Sequence, residues 1–194
     1  MKERKPSRGQ GRPRDPETDR AILAATIDEL AASGYESASL ESIARRCGAS
    51  RATIYRRYAG KPELVVAAVE AAFQKANPVV PDTGDAVTDV TTLAWNTARM
   101  LVETPVGAVF RAIVPALATD TALAELSARL ERNRRRLMLE AIEHGIESGN
   151  IPPCDANLVI DQVLGAIYLR FLLLGKPLTR GYVRCVVRGA LGLS

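Results

Sequence analysis

The chain has 194 residues, 47% of them hydrophobic and 25% charged, which is enough apolar material for one sizeable core or two small ones and too much for a disordered chain. Its formal net charge of +4 is unevenly placed: residues 1–61 hold 13 basic and 8 acidic side chains, whereas residues 62–194 hold 13 and 14. Clustered Lys and Arg displace the counterions condensed on nucleic acid, so a positive excess at one end fits a polyanion partner there; an anionic membrane surface would use the same charges. No uninterrupted run of about 18 apolar residues occurs, and the basic N-terminus is not followed by the apolar stretch of a secretory signal. The expectation is a soluble, cytoplasmic protein without a membrane partner. Cys47, Cys154 and Cys185 are too widely spaced for a zinc site or a disulfide framework, so they read as small buried hydrophobes, and neither metal nor cofactor is expected.

Residues 1–14, MKERKPSRGQGRPR, show no apolar periodicity and read as a flexible basic arm. Their Gly-Arg-Pro-Arg resembles minor-groove hooks, with Arg12 and Arg14 as the readers, the alternative being a tail that only raises non-specific affinity. Asp15 and Pro16 then open a helix that closes at Gly34, with Ile22, Leu23, Ile27 and Leu30 on its apolar face. Ser39 can cap a second helix whose Ile43 and Ala44 face inward, Gly48 can take the left-handed conformation that ends it, and Ser50 can cap a third. Two short helices joined by about three residues with Gly at the turn form a helix-turn-helix, whose second helix lies in the major groove of DNA. With Ile54 and Tyr58 anchoring that helix, Arg51, Ala52, Thr53, Tyr55, Arg56 and Arg57 are left to face a groove or its phosphates. Arg can donate two parallel hydrogen bonds to guanine, Thr offers a hydroxyl and a methyl, and Ala permits close approach. Tyr and Lys mostly hold phosphate.

Further helical patterns run over residues 62–76, 87–103, 106–118, 123–148, 155–174 and 179–191. No alternating β-branched run is long enough for a strand, so the chain reads as all-α with about nine helices.

The stretch LESIARRCGASRATIYRRYAGKPELVVAAVE resembles the DNA-binding region of TetR-family transcriptional regulators, over residues 18–73. The resemblance implies an N-terminal three-helix helix-turn-helix DNA-binding domain over 15–61 and a helical ligand-binding and dimerisation domain over 62–194, with the helix at 62–76 as connector. Carried onto this sequence, it implies that Arg51, Ala52, Thr53 and Arg56 approach bases. Tyr55, Arg57 and Lys61 would contact phosphates, with Ser39 and Ser42 helping at the start of the preceding helix. Gly60 and Tyr58 depart from the residues usual at their positions, a polar residue and Phe, without disturbing the pattern.

In the larger part, Pro105 and Pro115 interrupt helical patterns and open gaps between helices. A cavity there, lined by Trp95, Met100, Phe110, Met138 and Tyr168, would hold an apolar or aromatic molecule, although each of the five also reads as plain core. Arg99, Arg111 and His144 read as surface residues. Arg132, Arg134, Arg135 and Arg136 read as a solvated face, with the pairs Glu131–Arg135 and Arg136–Glu140 spaced four apart. Ile160, Val163, Leu164, Ile167, Phe171, Tyr182 and Val186 form an apolar surface that pairing with a second copy would bury. The function expected is that of a homodimeric, ligand-responsive repressor that releases a palindromic DNA operator on binding an apolar small molecule. With one histidine and no nucleophile motif, an enzyme is the remote alternative; an architectural DNA-binding protein without an effector is the nearer one.

Overall fold

The computed structural model describes residues 15–193, which are all-α. In chain order the elements are α1 (Pro16–Ser37), α2 (Leu40–Cys47), α3 (Arg51–Tyr55), α4 (Lys61–Ala76), α5 (Ala86–Glu103), α6 (Val106–Ala116), α7 (Thr121–Glu147), α8 (Ala156–Tyr168) with a π-helical continuation over Leu169–Leu174, and α9 (Arg180–Ala190). Side-chain N-caps explain most of the starts: Asp15, Ser39, Ser50, Asp85, Asp120, Asp155 and Thr179 each accept from a backbone amide in the first turn of the helix that follows. The regular helix of α1 breaks at Gly34, as the sequence suggests. The backbone leaves the helical region there (φ 78°), and the chain resumes helical hydrogen bonding through Ser37. Pro105 lies at the N-cap of α6 rather than within a helix, whereas Pro115 is inside its last turn.

Two apolar clusters form. Ile22, Ala25, Leu40, Ile43, Ala44, Ile54 and Leu64 make a small one beneath α2 and α3, while the large one joins α4 to α9. The clusters share helices: α1 places Ile22 in the small one and Leu30 in the large one, and α4 places Leu64 in the first and Val65 in the second. Helix α1 also packs on α6. The N-terminal unit is therefore joined to the rest through two continuous helices rather than through a linker.

Ala156–Leu174 reaches a mean hydropathy of 1.6 and is long and apolar enough to cross a membrane by length and composition. Asp161 and Arg170 interrupt its apolar run. Val159, Ile160, Val163, Ile167 and Phe171 from this stretch are buried in the large cluster, as expected of a core helix.

Gly107 sits where α5 and α6 meet, and a Cβ there would lie 1.9 Å from the Leu101 carbonyl oxygen and 2.8 Å from the Phe171 ring. Because the nearest atom is backbone, relief requires α6 to move. Gly107→Ala is expected to destabilise the fold by about 2 kcal/mol, read from the urea midpoint.

Candidate nucleic-acid interface

Helices α2 and α3 are held by short-range polar contacts. Ser39 and Ser42 form a reciprocal capping box, with Ser42 N donating to Ser39 Oγ and Ser39 N to Ser42 Oγ, both at 3.1 Å. Gly48 then adopts the left-handed conformation (φ 68°) that lets the chain turn into α3, and Ser50 Oγ accepts from Thr53 N at 3.1 Å. Ile54 is fully buried and Tyr58 packs against the same small cluster, which fixes the rotation of α3. Helix α3 is only five residues long; past Tyr55 the chain makes one further turn, with Tyr58 N donating to Ile54 O at 3.0 Å.

That rotation leaves Arg51, Ala52, Tyr55 and Arg56 exposed, with Tyr55 at 51%. Arg51 pairs with Glu41 on α2 across the turn. Thr53 is half-buried, its hydroxyl bonded to Ser50 Oγ at 2.9 Å and accepting from Arg56 Nη2 at 3.3 Å. Two residues expected at phosphates are turned toward the protein instead. Arg57 has a side chain only 14% exposed, pairs with Asp19 of α1 and donates to Thr53 O at 3.4 Å. Lys61 lies 4.2 Å from the Tyr35 ring centroid and donates through Nζ to Tyr35 O at 2.8 Å and Ala38 O at 3.3 Å. Both cations satisfy groups on α1 that lie far away in sequence. Ser39 and Ser42 likewise spend their hydroxyls on the capping box. Arg12 and Arg14 lie outside the described residues. Arg45, which the motif did not single out, is exposed on the last turn of α2 and adds a cation beside this face; its signal was the Arg45-Arg46 pair at the C-terminus of that helix.

A cavity of about 600 Å³ opens between α4, α5, α7 and α8. Of the residues expected to line it, Met138 does so. Trp95 packs half-buried against the core, Met100 is buried, and Phe110 lies between Phe73 and Tyr168 at 5.8 Å from each ring. The walls include Phe73, Leu93, Leu130, Ile160 and Leu164, with Glu70, Asn77, Thr97 and Arg134 among the polar groups. Arg134 is not on a solvated face. Its side chain is 11% exposed, its Cζ stands 3.8 Å over the Phe73 ring, and it donates to the Tyr168 hydroxyl at 2.6 Å. Arg135 is also mostly covered, paired with Glu131 at 3.6 Å and with Asp161, while Arg136 remains exposed and meets Glu140 at 3.4 Å. Arg99 pairs with Glu103 at 3.0 Å, and Arg111 covers the Phe171 ring at 4.1 Å.

On the penultimate helix the apolar stripe expected at a dimer interface faces inward: Ile160, Val163, Leu164, Ile167 and Phe171 are all buried within this one chain. They pack in the large cluster with residues of α5, α7 and α9, so the protomer uses that stripe itself. The opposite face exposes Leu158 at 53%, Leu169 at 49% and Leu173 at 77%, while Tyr182 and Val186 are half-buried.

The family model described as bacterial regulatory proteins of the tetR family matches residues 22–68, and the tetracyclin repressor-like C-terminal domain matches residues 80–190. The chain belongs to the TetR family of transcriptional regulators. An HTH-type transcriptional regulator of Bacillus subtilis strain 168, YdeS, is 34% identical over 183 residues, covering 93% of this chain and 91% of its own. The DNA-binding transcriptional repressor TetR of Mycobacteroides abscessus is 41% identical over 70 residues, covering 36% of this chain and 37% of its own. Among solved structures, the TetR family transcription regulator SCO0332 superposes with a TM-score of 0.71 at 29% identity, over 91% of this chain and 97% of that one. FadR of Bacillus subtilis, solved in complex with stearoyl-CoA, shares the fold at a TM-score of 0.73 and 15% identity, over 89% and 97%. For a TetR-family protein, the α2–turn–α3 unit is the helix-turn-helix that the sequence motif indicates.

Glu29 of α1 steadies α2 by accepting from Arg46 Nη2 at 2.8 Å and Nε at 3.0 Å. These Arg46 hydrogen bonds first, then Ser42, hold the Glu29 carboxyl below its ordinary value of 4.5, with burial opposing them. A carboxylate whose folded pKa is depressed stabilises the fold above its unfolded value and loses that contribution as pH falls through the folded one. Arg46→Met is therefore expected to lower the thermal midpoint at neutral pH and to flatten its fall below about pH 4.5, measured by calorimetry across acid buffers.

Proposed function

We propose that the chain is a homodimeric repressor that works in the cytoplasm, reads a two-fold symmetric DNA operator with its two α3 helices, and releases it when a small molecule with an apolar body enters the cavity between α4 and α7. The observation that carries the DNA reading is the exposed Arg51, Ala52, Tyr55 and Arg56 on a helix locked by Ile54. On this reading residues 15–61 form the DNA-binding unit, Arg51, Ala52, Thr53 and Arg56 approach bases, and Tyr55 meets a phosphate. Arg12 and Arg14, in the arm of residues 1–14, extend the contact into the neighbouring minor groove. Arg57 and Lys61 hold α3 and α4 to α1, so their part is to set the angle of the reading helix. The same applies to Ser39 and Ser42 at the start of α2.

Residues 62–194 form the effector and dimer unit, with α4 as connector. Support for a small-molecule effector comes from the cavity and from FadR, a protein of the same fold solved with stearoyl-CoA. An effector acts by preferring the conformation whose two heads no longer match adjacent major grooves, and a preference of a few kcal/mol suffices. Support for a second copy comes from Leu158, Leu169 and Leu173, apolar and exposed along one side of the helix, together with the half-buried Tyr182 and Val186 of α9. Two such faces would close a four-helix interface.

Two experiments test this reading. Arg51→Ala and Arg56→Ala are each expected to weaken binding to the selected operator by about 1–3 kcal/mol and to weaken binding to random duplex far less, measured by fluorescence anisotropy at fixed salt. Equal losses on both DNAs would reduce the two arginines to phosphate contacts. Leu169→Lys is expected to sediment as a folded monomer and to lose operator binding; a dimer that persists would move the interface elsewhere.

A further inference from the structure

The cavity between α4 and α7 has a charge balance that the family assignment does not dictate. Three arginines line it, and each is already matched: Arg134 pairs with Glu131 at 2.8 Å, Arg135 with Glu131 and Asp161, and Arg136 with Glu140. Arg134 is further committed to the Tyr168 hydroxyl and to the face of Phe73. Asn77 is engaged too, donating to Thr97 Oγ1 at 3.5 Å and accepting from Asn96 at 3.1 Å. Glu70 is different. It lines the same cavity, one turn of α4 before Phe73, it is half-buried, and it has no hydrogen-bond or ion-pair partner among the described residues. Among the described residues that line the cavity, Glu70 is thus the charged side chain that makes no ion pair. A carboxylate in a partly desolvated site attracts a cation and repels an anion more strongly than it would in open water. An entering anion would meet Glu70 uncompensated and would have to displace Glu131 to reach Arg134.

We propose that the cavity takes an amphipathic organic cation, with its charged nitrogen against the Glu70 carboxylate and its apolar body against Phe73, Leu93, Leu130, Met138 and Leu164. This rests on the reading of the cavity as the effector site. A volume of about 600 Å³ suits a drug-sized molecule, and the apolar walls supply the driving force that a small hydrophilic amine could not use.

The test uses three probes with one tail length and different heads: decyltrimethylammonium, decanol and decanoate, each below its micelle concentration, titrated calorimetrically into the full chain. The cation is expected to bind roughly tenfold or more tighter than decanoate, and Glu70→Gln to cost the cation about tenfold while leaving decanol within about twofold. Decanoate binding as tightly as the cation, or Glu70→Gln leaving the cation unaffected, would overturn the proposal. A second variant separates this from the underlying reading: Asn133, exposed on the cavity wall, is replaced by Trp to fill the space. Loss of all three probes in Asn133→Trp supports the cavity as their site. Unchanged binding in that variant, or no binding of any probe to the wild type, would remove the effector-site reading and the proposal with it.

Discussion

Tyr35 is the residue on which the arrangement of the two units turns. It follows the break at Gly34 and is 4% exposed, and a polar group buried that deeply must be paired or cost the fold its full desolvation penalty. Its hydroxyl donates to Asp120 Oδ2 at 2.5 Å, its carbonyl accepts from Lys61 Nζ, and its ring stacks beneath the same ammonium. Burial first, then the Asp120 hydrogen bond, pushes the phenol's pKa up, while the Tyr35 hydroxyl holds the Asp120 carboxyl down. The proton therefore stays on the tyrosine and the charge on the aspartate. Asp120 also caps α7, accepting from Leu123 N at 2.9 Å, so one carboxylate serves the end of the N-terminal unit and the start of the longest helix.

This junction gives the proposed regulation a physical route. Lys61 begins α4 and Asp120 precedes α7, and the C-terminal half of α4, around Phe73, and the middle of α7, around Arg134, both line the cavity. On the proposed reading, a molecule wedged between the C-terminal half of α4 and the middle of α7 would move the N-terminal ends of these helices relative to each other, and Tyr35 bridges those ends. No flexible linker absorbs the motion, since α1 and α4 each contribute to both apolar clusters. On the proposed reading, a displacement at the cavity would be passed on as a rotation of the whole helix-turn-helix unit, because packed interiors shift between discrete arrangements rather than deform smoothly.

What the sequence revealed was largely what is decided locally. The caps at Asp15, Ser39, Ser50, Asp155 and Thr179, the turn at Gly48 and the anchor Ile54 each depend on residues within four positions, and the all-α class follows from their repetition. Partners far apart in sequence were not legible. Arg57 meets Asp19 across 38 residues and Lys61 meets Tyr35 across 26, so both looked like free cations. The same limit misplaced the cavity lining: Phe73 of α4 and Leu93 of α5 meet one gap only because α7 packs on both helices. On α8 the apolar residues wrap more than one face, and periodicity alone could not say that Ile160 and Val163 turn inward while Leu158 and Leu169 turn out. Arg134 was hidden by its neighbours, since a run of arginines suggests solvent, whereas this one lies against Phe73 and Tyr168.

The measurement that tests the account most directly is selection of bound sequences from a random duplex pool at near-physiological salt, followed by the native mass of the selected complex. The expected result is a two-fold symmetric motif whose half-sites lie about one helical turn apart, bound by an even number of chains. A single unrepeated half-site bound by one chain, or retention that falls steeply with salt and enriches no sequence, would contradict it.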